Sequence, residues 1–373
     1  MRILLLSTGG KIGGEETFTR NLALSLMSKG HYVEVAPGGK VQREDLEKRG
    51  IKICPVDITG RKPFALYKAA GNLAKYAESN NFDVIHSQAV GPAIMGVLAK
   101  KFHHCQIPWM WHNHGITDFA YKHIVKRLNG LDSIIANSDY VKESLKGHGV
   151  KPGVITRIHN GINYEDFYVS EADRKANRER LCEMIGLKKD SKNPIIIYVG
   201  RLSPEKGVEV LVDGFAELRQ SHPDSQCVLV GDGVERENLK SQVAKNGCTD
   251  NVHFLGFRSD IKELVSGSDI LVLPSHIETF SLTTLQAFAS GTPCVCSDVG
   301  GTPEQILDKF SGRLFPNNDT SALAECLSEL IESPAKMKDY ADKAQQLSHN
   351  YLNTDRMTDE IIGVYETLTE KSK

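Results

Sequence analysis

Two cations stand where helix physics disfavours them. In YVGRLSPEKGVEVLVDGFAEL, residues 198–218, an apolar run ends at Gly200 and Arg201 follows. Lys206 then falls in the first turn of a helix introduced by Pro204. A positive charge there opposes the helix dipole, so helix stability does not explain Lys206. A guanidinium fork and a point charge beside a helix N-terminus can clamp a diphosphate; the plainer alternative is two solvated surface charges. A second such place is IETFSLTTLQ, residues 277–286. Ser281 can cap a helix whose apolar face is Leu282, Leu285, Phe288 and Ala289. The amides of Leu282, Thr283 and Thr284 would then face outward, where a phosphate is welcome. Glu278 lies just outside this helix, and Gln286 lies about 7.5 Å along it at 1.5 Å per residue. A ligand with a diphosphate at its middle could reach Glu278 with one end and Gln286 with the other. The plainer reading of Glu278 is an acid favoured by the dipole.

Other stretches carry weaker signals. TGGKIGGEE, residues 8–16, leads from a strand into a helix N-terminus, and its glycines Gly13 and Gly14 would let a phosphate or sugar approach. It is not the dinucleotide fingerprint. Thr8 occupies the first glycine position, and the next strand ends in VAPGG with no acid to hold a ribose. VLVGDG (228–233) offers Gly231 at a strand end, and VHFLGFRSDI (252–261) offers Gly256 and Arg258 to a base. Arg258 could equally cap a helix or pair with Asp260. In IPWMWHNHG (107–115), His112 and His114 sit two apart beside Trp111. Such a pair could bind a metal, but no third ligand has suitable spacing. His114 donating to a sugar hydroxyl or phosphate competes with an ordinary core histidine. DFAYKHIVKRLNG (118–130) reads either as a basic aromatic helix lying on a membrane or as one packed on its own sheet.

The elements that must position these residues alternate from end to end. Apolar runs RILLLST, YVEVAP, DVIHSQ, PWMWHN, SIIANS and GVITRIH fill the first half. Helical stretches separate them, such as 15–29 with Phe18, Leu22 and Leu26 on one face. PIIIYVG, CVLVGDG, VHFLGF, ILVLPS, PCVCSD and GRLFP repeat the scheme. Strands alternating with helices pair in parallel through right-handed crossovers. Two doubly wound α/β domains are therefore expected, residues 1–165 and 166–353. The polar stretch near 160–190 reads as a hinge, a helix and a linker. Residues 354–373 form a last helix with Met357, Ile361, Val364, Tyr365 and Leu368 on one side. Doubly wound sheets bind ligands at the carboxyl ends of their strands, which is where the motifs fall; two sheets facing each other would make a cleft.

The bulk properties agree. A chain of 373 residues exceeds what one core usually organises. ILLLST is too short for a leader and reads as a buried strand, and no apolar run approaches the roughly 18 residues a membrane span needs. Eight cysteines without a C-x-x-C pair suit a reduced cytoplasmic protein. Residues 1–170 hold 22 lysines and arginines against 15 acids, and the remainder 23 against 32. The basic half suits an anionic partner, a membrane surface or an anionic acceptor, or is simply a solvated surface.

Gly13–Gly14, the HG at 114–115, IHNGINYEDF, YVGRLSPEKG, LVGDG, FLGF and Glu278 followed by QAFASGTPCVCSDVGG occur in that order. The series resembles the retaining GT-B glycosyltransferases of family 4 and covers essentially the whole chain. The resemblance implies two Rossmann-like domains, acceptor side first, with the last helix packed back on the first domain. It implies transfer of a hexose-type sugar from a nucleotide-diphosphate donor, most often UDP-linked, with no metal or other cofactor. The acceptor would be a glycan, a glycolipid or a small molecule. The setting would be cytoplasmic, as monomer or homodimer, in cell-surface polysaccharide synthesis, with contact to the inner membrane face open and no nucleic-acid partner. Arg201 and Lys206 would neutralise the leaving diphosphate. Glu278 would hold sugar hydroxyls, helped by amides near Phe280, Ser281 and Leu282, and His114 would contact the sugar. The family usually has Glu for the ribose where this chain has Gln286. Rival readings are a phosphorylase or epimerase on the same fold, or a non-catalytic nucleotide-sugar-binding subunit.

Overall fold

A computed structural model describes residues 1–8, 14–115 and 124–371. The chain divides into two compact units, Met1–Asn160 with Thr354–Lys373, and Gly161–Asn353. The division falls at 160/161, five residues before the boundary expected from sequence.

The first unit is built on seven strands: β1 Arg2–Leu6, β2 Tyr32–Ala36, β3 Lys52–Ile53, β4 Val84–Ser87, β5 Trp109–Asn113, β6 Ser133–Ala136 and β7 Ile155–Arg157. Their order is β3-β2-β1-β4-β5-β6-β7, all parallel. Strands covered on both faces read as unbroken apolar runs, and Ile3 to Leu6 have no exposure at all. β3, two residues long and half-polar, gave no such signal. In the helix Gly14–Ser28 the buried side includes Phe18, Leu22 and Leu26, at helical spacing.

The second unit holds β8 Ile195–Val199, β9 Gln226–Val230, β10 Val252–Gly256, β11 Ile270–Leu273, β12 Cys294–Ser297 and β13 Arg313–Phe315. Their order is β10-β9-β8-β11-β12-β13, again parallel. Each sheet reverses its winding once, between β1 and β4 and between β8 and β11.

Within the polar stretch near 160–190, the expected helix is Glu171–Met184, and it is fastened within the second unit: Arg174 donates to the Ser266 carbonyl at 3.0 Å, and Arg178 pairs with Asp269 at 2.8 Å. The partners of these arginines lie some ninety residues away in sequence. All eight cysteines are buried and unpaired. No described helix is long and apolar enough to cross a membrane.

Candidate functional site

In the second unit the site grows from the loops after β8 and β11, the two strands flanking the winding reversal, where such sheets receive ligands. β8 ends and Gly200 follows. Tyr198 donates its hydroxyl to the Arg201 carbonyl at 2.7 Å, which fixes the turn while Arg201 itself stays exposed. The turn Pro204–Lys206 then passes through Gly207, at φ 59°, into the helix Val208–Leu218. A β-carbon on Gly207 would sit 2.2 Å from the Pro274 carbonyl oxygen. The left-handed backbone and the close approach both require glycine, and the contact draws the β8 loop against the end of β11.

That approach brings Lys206 to Glu278. Lys206 Nζ lies 2.8 Å from Glu278 Oε2, and the Thr279 N–H donates to Glu278 Oε1 at 3.1 Å. The pair is largely buried, with side-chain exposures of 28% and 15%. An ammonium has three donors, so the pairing leaves Lys206 capacity for a phosphate while anchoring its position. Arg201 has no ion pair among the described residues, so this loop can still accept an anion.

The helix after Glu278 spans Leu282–Ala289 with Ser281 as its N-cap, Ser281 Oγ accepting from the Thr284 N–H. This corrects part of the expectation for the outward amides. Thr284 is taken by the cap, and the Ser281 N–H donates to Gln305 Oε1 at 2.7 Å. The amides of Leu282 and Thr283 remain at the helix mouth. Phe280 is buried, and Gln286 is half-buried on the fifth residue of the helix. Gln305 was not anticipated. It clasps Ser281 at both backbone atoms, its Nε2 donating to the Ser281 carbonyl at 2.9 Å. Twenty-four residues separate the two, and no local motif announces them.

Gly231 (φ 133°) would place a β-carbon 1.8 Å from the Gly200 carbonyl oxygen, so glycine here lets the ends of β8 and β9 meet. Arg258 makes a two-pronged contact with Asp260, Nε to Oδ1 at 2.8 Å and Nη2 to Oδ2 at 2.6 Å. Its guanidinium is thereby engaged, and the pairing alternative is the one observed.

In the first unit the loops after β1 and β4 flank the reversal. Gly13 lies outside the described residues. Gly14 opens the helix Gly14–Ser28, and a β-carbon there would meet open space. Its neighbour Glu15 accepts from the Ser7 hydroxyl at 3.0 Å and the Thr8 N–H at 3.1 Å. Burial pushes its carboxyl up to about 7, against the lowering effect of the Thr8 N–H, and the charge of Glu16 pushes the same way as burial.

His114, after β5, has Nε2 2.9 Å from Oε1 of the buried Gln88, which follows β4. With a carbonyl oxygen as partner, Nε2 carries the proton and Nδ1 does not. Sequence reasoning expected His114 to donate to a ligand; here Gln88 takes that donor. His114 is also the end of a stack. His112 lies nearly parallel to it at 4.4 Å, and His86 of β4 parallel to His112 at 5.8 Å. Phe18 packs on both His112 and His114. At the far end the hydroxyl of Tyr365, in the helix Thr354–Lys371, meets His86 Nδ1 at 2.7 Å. Burial drives His86 and His114 down to about 3 and holds His112 well below the ordinary histidine value. All three are neutral imidazoles. Of the stretch 118–130, residues up to 123 lie outside the described residues, and Val125–Gly130 is a 3-10 turn.

The family described as "Glycosyl transferases group 1" matches residues 183–347, and that described as "Glycosyltransferase Family 4" matches residues 12–166. The chain belongs to the family 4 glycosyltransferases. This glycosyltransferase is 25% identical over 376 residues to the N-acetyl-alpha-D-glucosaminyl L-malate synthase of Bacillus anthracis, covering 96% of this chain and 93% of that one. It is 28% identical over 255 residues to the alpha-D-kanosaminyltransferase of Streptomyces kanamyceticus, covering 68% and 64%. Its fold is that of Anabaena HepE, solved in complex with UDP, with a TM-score of 0.85, 23% identity and coverage of 98% and 100%. The glycosyltransferase thus has the GT-B fold expected from its motifs.

Proposed function

We propose that this glycosyltransferase moves a hexose-type sugar from a UDP-sugar to a glycan or glycolipid acceptor of the cell surface, with retention at the anomeric carbon and without a metal. The observation that carries the proposal is the Lys206–Glu278 pair at 2.8 Å, set at the winding reversal of the second sheet and beside the capped N-terminus of Leu282–Ala289. Lys206 and Arg201 would meet the diphosphate, as fixed charges that need no reorganisation when the leaving group gains charge. Glu278, already oriented by Lys206 and Thr279, would accept from sugar hydroxyls. Gln286 would meet the ribose, since an amide can both accept and donate. His114, in the first unit, would contact a sugar hydroxyl. In the step itself the bond from C1 to the phosphate oxygen breaks, a bond from C1 to the acceptor oxygen forms, and the acceptor's proton passes to the leaving phosphate. No protein nucleophile takes part. Anabaena HepE solved with UDP-glucose supports the choice of donor.

The test is a thermal-shift screen of nucleotide sugars followed by turnover with added acceptors, in buffer with and without EDTA. UDP should be released only when an acceptor is present, and EDTA should leave the rate unchanged. Tight UDP binding with no turnover against any acceptor would instead favour a non-catalytic binding subunit. Phosphate-dependent turnover would favour a phosphorylase.

A further inference from the structure

One surface of the first unit belongs neither to its core nor to the site above. On the helix Pro63–Ser79, Phe64, Tyr67 and Lys68 share one face by their i, i+3, i+4 spacing. Phe64 is 78% exposed and Tyr67 41%. Tyr67 meets Phe102, 49% exposed at the end of the helix Val90–Phe102, with ring centroids 6.0 Å apart. Single exposed apolar residues are ordinary, but the Tyr67–Phe102 pair with Phe64 one turn away on the same helix face makes a patch. Around them stand Arg61, Lys62, Lys68, Lys75 and Lys101, all exposed. None of the five has an ion pair among the described residues, whereas neighbouring Lys100 is held by Asp132 at 2.7 Å. Lys101 rests 5.2 Å from the centre of the Phe102 ring. The two helices carry a single carboxylate, Glu78. A groove of about 660 Å³ adjoins the patch, between Pro55–Gly60 and the same helix, with Lys68 and Lys75 on its wall.

We propose that this face docks the protein on an anionic lipid bilayer. The three rings enter the boundary between headgroups and acyl chains, and the five cations lie at headgroup level. Binding to such a boundary sums buried apolar area with attraction to anionic lipid, and this face supplies both. Folded protein partners offer carboxylates to cations, but protruding rings such as Phe64 then need a matching cavity; a bilayer needs none. The proposal extends the reading of a glycolipid acceptor, yet its physical case does not depend on sugar transfer.

Vesicle co-sedimentation of the full chain tests it. Vesicles of phosphatidylcholine with about one third phosphatidylglycerol should retain the protein, neutral phosphatidylcholine vesicles should not, and rising salt should release it. Phe64→Ser combined with Arg61→Glu and Lys62→Glu should lower partitioning at least about tenfold. Lys188→Glu with Lys192→Glu, on exposed lysines of the second unit, should leave it near the parent value. Equal retention on neutral vesicles, or equal loss in both variants, overturns the proposal. The Phe64 variant should keep full transfer to a water-soluble acceptor fragment. Failed transfer by the parent chain would therefore count against the proposed function and leave the docking face standing.

Discussion

The two units meet the same demand, holding polar groups at the carboxyl ends of a doubly wound sheet, by opposite means. The second uses formal charge: Lys206 against Glu278, and Arg201 without an ion pair among the described residues. The first uses neutral groups, with three stacked imidazoles between Phe18 and the Tyr365 hydroxyl. A charged pair at the rim of a sheet keeps its charges and a strong local field. Buried imidazoles shed their protons because burial penalises the cation. The lesson is a division of labour: under the proposed function, an anionic leaving group would fall to the charges and hydroxyl groups to the neutral stack.

The largest expected break in this contrast is Lys206→Ala. It removes a fixed charge and leaves Glu278 uncompensated, so turnover should fall at least about 100-fold. Steady-state rates with a competent acceptor measure it, and a near-normal rate would mean that the clamp is elsewhere.

Acid should separate the units next. Unfolded histidines bind protons below about pH 6.5, whereas folded His86 stays neutral to about 3 and His112 stays neutral too. Their contribution is therefore present above pH 6.5 and lost as pH falls toward 3, at up to roughly 1.4 kcal/mol per pH unit for each histidine. Hydrogen exchange at pH 4.5 should show the first unit opening before the second. Uniform opening would deny the stack this role.

Glu15 has the opposite sign. Held protonated to about 7 in the folded state, it stabilises most below about 4.5, and that gain disappears as pH rises through 7. Glu15→Gln copies the protonated form, so its melting temperature should exceed the parent's at pH 8 and match it near pH 5. An equal shift at both values would point to packing instead.

The smallest effect concerns Gln286. A carboxylate accepts more strongly than an amide, so Gln286→Glu should tighten UDP binding a few-fold while activity persists. Calorimetry that finds unchanged affinity would remove Gln286 from the ribose.

What could be read from sequence follows the range of the interactions. Ser281 as a cap obeys a rule spanning four residues, and the structure has it; Lys206, expected in a first helical turn, instead ends the 3-10 turn Pro204–Lys206, two residues before the helix Val208–Leu218. Gln305 on Ser281, Gln88 on His114 and Tyr365 on His86 join residues 24, 26 and 279 positions apart. Strand order and register decide those meetings, and no window of sequence contains them. Arg258 lay open to two readings, a base and a carboxylate two residues away, and the structure shows the carboxylate contact.

The helix Thr354–Lys371 belongs to the first unit, although the whole second unit is synthesised before it. At about 5–20 residues per second, the interval between Asn160 and Thr354 lasts roughly 10–40 s on the ribosome. During that wait the nascent first unit lacks Met357, Ile361 and Tyr365, all buried in the finished protein. The later-made unit is therefore the one free to fold on its own schedule, and the earlier-made one stays open to chaperones until its closing helix emerges.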